Sequence, residues 1–229
     1  YGIAFEHTDI TTFSDSPVQY IQFVNEFGNS NTSIPLTAGW TRDRRDSTIF
    51  TSRGTLQNAN VEIAVPPGEL RFYRAQYSVQ AYYPLFAENV LQLTGRVGYA
   101  NGYADKPLPF YKNFYLGGIG SVRGYQTASI GPKDAQGNAL GGNVQVIGNA
   151  EYYFPFPGLQ KDKSVRLSFF LDAGALGDSN NDTGTLGINS DQARASVGIA
   201  LAWYSPVGPL KISYAFPLND QPDDELQPF

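Results

Sequence analysis

Side chains along most of this chain alternate between apolar and polar, and no other feature restricts the possible fold as strongly. Tyr73, Ala75, Tyr77, Val79, Ala81 and Tyr83 hold one parity, and Arg74, Gln76, Ser78 and Gln80 hold the other. Successive side chains of a strand point to opposite faces, so this segment reads as a strand with one apolar face. Leu91, Leu93, Val97 and Tyr99 repeat the pattern against Gln92, Thr94 and Arg96. So do Val144, Val146, Ala150, Tyr152 and Phe154 against Asn143, Gln145, Asn149 and Glu151. Val165, Leu167, Phe169 and Leu171 face away from Arg166, Ser168 and Asp172. Segments around 195–203 and 210–216 behave likewise, and 1–10, 36–42 and 54–65 read as strands of the same kind. The total is about nine strands, and a transmembrane strand needs roughly 9–11 residues. No stretch is read as a helix.

The connections sort by length. Short turns are expected at Pro66-Pro67-Gly68, 85–89, 155–158 and 205–208, and long polar loops at 24–34, 43–53, 103–142 and 175–191. Short turns on one side and long loops on the other are the habit of outer-membrane barrels. Tyr82, Tyr83, Tyr99, Tyr152, Phe154, Trp203, Tyr204 and Phe216 lie near strand ends, as interfacial aromatic girdles do. A soluble β-sandwich would also alternate. Only 16% of residues are charged, against about 25% in soluble domains. That shortage, the loop asymmetry and the aromatics favour an all-β, antiparallel transmembrane barrel of the outer-membrane type. Closure would also remove the open sheet edges of a sandwich. The chain has no methionine, and bacterial barrels normally have an even strand number, so it is expected to be part of a longer precursor.

Between two strong strand patterns lies the gap 103–142, too long for a simple connection in a compact domain. Its centre is Asn113-Phe-Tyr-Leu-Gly-Gly-Ile-Gly-Ser-Val-Arg-Gly-Tyr-Gln126. Phe110, Tyr111, Phe114, Tyr115 and Tyr125 argue that it packs, and Gly117 and Gly118 permit the turns packing would need. The gap therefore reads as an ordered loop carrying Arg123 to a defined place. A simpler account is an exposed arginine on an external loop, contributing about 0–1 kcal/mol through any surface pair. Two carboxylates, Glu151 and Asp172, lie on the polar and therefore lumen-facing parity of strands after the loop.

Other chemistry is poorly supplied. The net charge of −5 gives no basic face for nucleic acid. Cysteine is absent and His7 is the single histidine, which leaves almost no material for a triad or a His-based metal site. Arg42-Asp-Arg-Arg-Asp46 reads as a solvated loop with local ion pairs. Asp178–Asp182 and 220–225 could hold calcium loosely but lack EF-hand spacing. The glycines before Arg123 precede no helix, so a phosphate loop is not expected. No serine has a plausible base partner. The reading is of a protein without catalytic residues, cofactor or metal.

Several stretches carry a further signal: Pro109-Phe-Tyr-Lys-Asn-Phe-Tyr-Leu-Gly-Gly118, Val122-Arg-Gly-Tyr125 and Ile130-Gly-Pro132 in the loop, then Gly141-Gly-Asn143, Phe169-Phe-Leu-Asp-Ala-Gly174, Gly198-Ile-Ala-Leu-Ala-Trp203 and Ser205-Pro-Val-Gly-Pro-Leu210. With these the chain resembles the bacterial surface antigen family over essentially its whole length. Tyr125 stands where that family more often has phenylalanine. The resemblance implies a sixteen-stranded barrel preceded by periplasmic repeat domains, with residues 1–229 as the C-terminal part of the barrel and the repeats absent from this chain. Phe229, preceded by Pro228, is read as a truncation point. The resemblance also implies that loop 103–142 is inserted in the lumen. There Val122, Arg123, Gly124 and Tyr125 form a locking motif, Asp172 and Glu151 are the wall partners of Arg123, and Phe114, Tyr115, Gly117 and Gly118 pack the loop.

The implied function is folding and insertion of β-barrel proteins into the outer membrane of a Gram-negative bacterium. Its partners would be unfolded outer-membrane proteins as substrates, accessory lipoproteins, and outer-membrane lipids deformed beside a lateral seam. The alternative is a two-partner secretion transporter exporting one dedicated protein.

Overall fold

Alternation becomes architecture in a single antiparallel meander. The computed structural model describes residues 1–158, 164–180, 187–188 and 192–229. Its strands are β1 (Gly2–Ile3), β2 (Glu6–Asp9), β3 (Ser30–Ser33), β4 (Pro35–Asp43), β5 (Gly54–Ala64), β6 (Phe72–Pro84), β7 (Val90–Gly102), β8 (Gly124–Tyr125), β9 (Val144–Pro155), β10 (Val165–Gly177), β11 (Ala193–Ser205), β12 (Gly208–Pro217) and β13 (Leu226–Gln227). The main sheet has nine strands in the order β1-β4-β5-β6-β7-β9-β10-β11-β12, and every neighbouring pair is antiparallel. Among the described residues the sheet does not return from β12 to β1, so the barrel wall is partial and unclosed.

Register sorts the side chains onto two faces. Tyr77, Val97, Val146, Leu171, Val197 and Ile212 share the outward face and are exposed, although all are apolar. Phe169 on that face is 56% exposed. A folded chain leaves an apolar band of this extent uncovered where lipid is its solvent. The opposite face carries Arg74, Gln145, Asn149, Glu151, Ser168, Asp172 and Arg194, and the long loop lies on it.

Three expectations need correction. The strand expected over 1–10 is broken: β1 joins the main sheet through β4, whereas β2 pairs with β3 in a separate ladder. Between β2 and β3 runs a helix, α1 (Val18–Phe27), where no helix was expected. Tyr20, Phe23, Val24 and Phe27 do follow the i, i+3, i+4, i+7 rule of an amphipathic helix. With only ten residues that face is brief, and tertiary packing sustains it. Tyr20 stacks on Phe110 at 3.9 Å, and Phe23 meets the same ring edge-on at 5.6 Å.

The third correction concerns the ends of the sheet. Strict alternation of strand direction places connection 44–53 at the end that also carries 85–89 and the β11–β12 turn. Pro66-Pro67-Gly68 instead leaves from the end of the long loops. Length alone misassigned both. The 44–53 connection behaves as a braced turn: Arg44 N–H and Asp46 N–H donate to the carbonyls of Thr55 and Arg53, and Asp46 accepts from the Ser52 hydroxyl.

Candidate functional site

Loop 103–142 is built by its own hydrogen bonds before it meets the wall. The Gly118 N–H donates to the Val122 carbonyl at 3.1 Å, and the Ser121 N–H donates back to Gly118 at 3.1 Å. The Ser121 hydroxyl accepts from the Gly117 N–H at 2.9 Å. Gly117 has φ 115°, and a Cβ there would sit 2.3 Å from the Gln126 carbonyl oxygen, so only glycine permits this tip. Short bridges pair Phe114 with Gly142 and Leu116 with Ile130. The segment that lacked a strand or helix pattern is thus an ordered excursion with local ladders.

The loop's apolar residues bury themselves against the sheet. Phe114, Leu116, Val122, Tyr125 and Ile130 form one buried cluster with Ala100, Ile147 and Leu176 of the strands. Two wall glycines make room. A Cβ on Gly98 would lie 2.7 Å from the Phe114 ring, and one on Gly174 would lie 2.9 Å from Val122. Burial of five such side chains, at about 1.5–3 kcal/mol each, offsets the entropy of ordering the loop. Tyr115 is 39% exposed; its carbonyl accepts from Gln145 Nε2 at 2.9 Å, its side chain hydrogen-bonds with that of Tyr20, and its ring lies beside Gly141. In the alternating run Phe114-Tyr115-Leu116, the two flanking residues enter the buried cluster.

Arg123 is delivered into this environment only 6% exposed. Its Nε donates to Asp172 Oδ2 at 2.7 Å and its Nη2 to Asp172 Oδ1 at 2.8 Å, a forked pair. The backbone N–H of Arg123 reaches Asp172 Oδ2 as well, at 3.1 Å. Nη1 donates to Glu151 Oε2 at 3.3 Å, and the guanidinium carbon stands 3.4 Å from the Phe170 ring centroid. The carboxylates are held in turn. Asn149 Nδ2 donates to Asp172 at 2.9 Å and to the Ser121 carbonyl at 2.7 Å. Ser168 donates to Glu151 at 2.6 Å, and Lys211 Nζ reaches Glu151 at 2.9 Å.

Buried Arg123 and the more exposed Lys211 thus face two buried carboxylates, so the cluster's charge balances with one cation at the solvent side. Burial alone would lower the Arg123 pKa. The hydrogen bonds and charge of Asp172, with the charge of Glu151, outweigh it and hold that pKa above its ordinary value. Such a cluster can clamp a loop against a wall.

The motif has a second neighbour. Tyr125 pairs with Leu226 and Gly124 with Gln227, so β8 and β13 form a two-stranded ladder. Arg194 of β11 holds Asp224 at 2.5 Å just before that ladder, and the Tyr125 hydroxyl donates to the Ala195 carbonyl at 3.4 Å. Burial, reinforced by the Asp224 carboxylate, pushes the Tyr125 phenol up to about 12.

Asn149, Ser168, Phe170 and Lys211 were not singled out from sequence. The register that sets Asp172 opposite Asn149 and Glu151 opposite Phe170 points to two of them, whereas Ser168 and Lys211 lie opposite Tyr153 and Ala202. Elsewhere, His7 is exposed beside Asp9 at 3.5 Å, and Asp43 binds Arg45 in a fork. Asp223 and Asp224 are committed to Lys133 and Arg194. Part of the suggested 178–182 site lies outside the described residues. No group of three or more His, Cys, Asp or Glu side chains among the described residues could hold a metal. No described helix is long and apolar enough to cross a membrane, which leaves strand-based crossing untouched.

A partial barrel wall with an apolar outer face and an arginine-clamped loop on its polar face defines an outer-membrane β-barrel protein. The Omp85 superfamily domain matches residues 1–229, and the chain belongs to that superfamily. Its sequence is 37% identical to the outer membrane protein assembly factor BamA of Neisseria meningitidis over all of this chain and 33% of that protein. It is 32% identical to BamA of Nitratidesulfovibrio vulgaris over 98% of this chain and 28% of that one. The sorting and assembly machinery component 50 homolog of mouse is 30% identical over 80% of this chain and 41% of its own length. The crystal structure of BamA from Haemophilus ducreyi lacking POTRA domains 1–3 superposes with a TM-score of 0.85 and 27% identity, over 95% of this chain and 47% of that one. The chain therefore spans about a third of the bacterial relatives it matches. These similarities bear out the family resemblance read from the loop motifs and the integral outer-membrane location.

Proposed function

We propose that this chain is the C-terminal barrel wall of a factor that folds and inserts other β-barrel proteins into the outer membrane, and that Arg123 locks loop 103–142 inside its lumen. Similarity along nearly the whole of this chain to proteins named as assembly factors supports the first part. The observation that carries the second is the buried fork between Arg123 and Asp172, at 2.7 and 2.8 Å. Chemistry on bonds is not needed for such a factor. Unfolded outer-membrane chains are its substrates, and edge-strand pairing is the physical means of templating them. Accessory lipoproteins and a lipid belt thinned by mismatch complete the machinery. The lock keeps the wall and its long loop in one arrangement while substrate strands form elsewhere on the barrel.

The test is depletion of the full-length parent in its own cell, followed by rescue with wild type, Arg123→Glu or Asp172→Arg. The outer-membrane content of many unrelated barrels is then quantified. All are expected to fall together on depletion, with neither variant restoring them. A deficit confined to one exported protein would replace the reading with a dedicated secretion transporter. Full rescue by both variants would remove the lock.

A further inference from the structure

The loop touches the wall at a second charged site, far from Arg123 in the sheet. Phe110–Lys112 makes a single 3-10 turn near the start of the loop. The Lys112 side chain is 17% exposed, and its ammonium lies 2.7 Å from Glu62 Oε1 and 3.1 Å from Glu6 Oε2. Glu62 belongs to β5, and Glu6 to β2 of the small ladder. The ammonium also stands 5.0 Å from the Phe72 ring. In the sheet, β5 is separated from β10, which carries Asp172, by β6, β7 and β9. Lys112 and Arg123 are eleven residues apart (123 − 112), so one short stretch of loop is tied to two distant parts of the wall.

The surroundings of Lys112 belong to a different apolar cluster from those of Arg123. Phe23, Ala64, Leu70 and Phe72 are buried together, with Phe27, Phe110 and Tyr111 packed against them. This cluster is where α1 meets the loop, through the stacked rings of Tyr20 and Phe110. Burial disfavours the Lys112 charge, but the two carboxylates outweigh that effect and raise its pKa. Reversing that charge would put three carboxylates in one partly buried place, where like charges repel strongly.

We propose that Lys112 is a second positioning residue of the loop, an independent latch that holds its first half and α1 against β5. The proposal rests on the loop being held against the wall, as the function proposed above requires. Arg123 fixes the half that carries the motif, and Lys112 fixes the half that carries the aromatic cover. The loop is then a cross-brace between β5 and the β9–β10 pair. Its two ends release separately.

Hydrogen exchange on the full-length parent in lipid bilayers tests this. Lys112→Glu is expected to speed exchange at 110–114 and across α1 by about tenfold or more, while 121–125 stays protected. Lys112→Glu combined with Glu62→Lys is expected to recover most of that protection, which a merely bulky or misfolded site would not do. Arg123→Glu is expected to give the reverse pattern. Unchanged exchange at 110–114 and α1 in Lys112→Glu would overturn the latch, as would opening of 121–125 to the same extent. Failure of the charge swap to restore protection in a folded protein would overturn it too. If Arg123→Glu leaves 121–125 protected while Lys112→Glu opens its own half, the latch stands and the Arg123 lock falls.

Discussion

Tyr125 shows how one side chain records the packing around it. Its hydroxyl donates to Ala195, and burial with the Asp224 charge nearby keeps the phenol neutral to about pH 12, against 10.0 for a free tyrosine. A pKa raised on folding means that the neutral form is the one the native state favours. The resulting stabilisation is complete below pH 10 and drains away as pH rises through 12. An alkaline titration of tyrosinate absorbance should therefore lose one of its late-titrating tyrosines in Tyr125→Phe. The same variant should show a smaller stability decline between pH 10 and 12. At this scale the sequence was partly legible. Arg123, Glu151 and Asp172 were identifiable because the family resemblance points to them and parity places both carboxylates on one face, and the structure brings all three together. Lys112 was not, because a lysine in a loop carries no parity and Glu6 and Glu62 lie far away in sequence.

At the level of elements, strand segments were the easiest to read because each strand carries its own period. Their pairing partners follow simply from chain order. The helix was hidden because its apolar face is completed by Phe110 from a segment more than eighty residues later. The side on which each connection emerges was misread because length is a habit of loops, whereas strand direction is a geometric necessity. The fit between loop and strands depends on bare backbone at Gly98, where the Phe114 ring occupies the space of a side chain. Gly98→Val should overpack that contact and cost about 1–3 kcal/mol. Chemical denaturation should show part of the loss recovered in Gly98→Val combined with Phe114→Ala, since the cavity of one accepts the bulk of the other.

For the whole molecule, the two faces of the sheet have different solvents. Outward apolar residues were identifiable as a set from period alone, but a sandwich core would have shared that period. What separates the two is the exposed band, of which Phe169 is a central member. Phe169→Arg should cost about 2–4 kcal/mol in a bilayer, whereas Trp203→Arg, near a strand end, should cost about 0–1 kcal/mol. Unfolding measured in lipid vesicles distinguishes these depths; equal costs would contradict a membrane-spanning wall.

The clamp also imposes an order of events on the growing barrel. Arg123 precedes Glu151 by 28 residues and Asp172 by 49, so both clamp contacts are non-local and cannot close until strands later in the chain are in place. Sheet neighbours can zip one after another, but the arginine must wait until the β9–β10 hairpin has formed. Tightening of the interior is thus a late step, and the chain carries its own signal that the second half of the wall is in place.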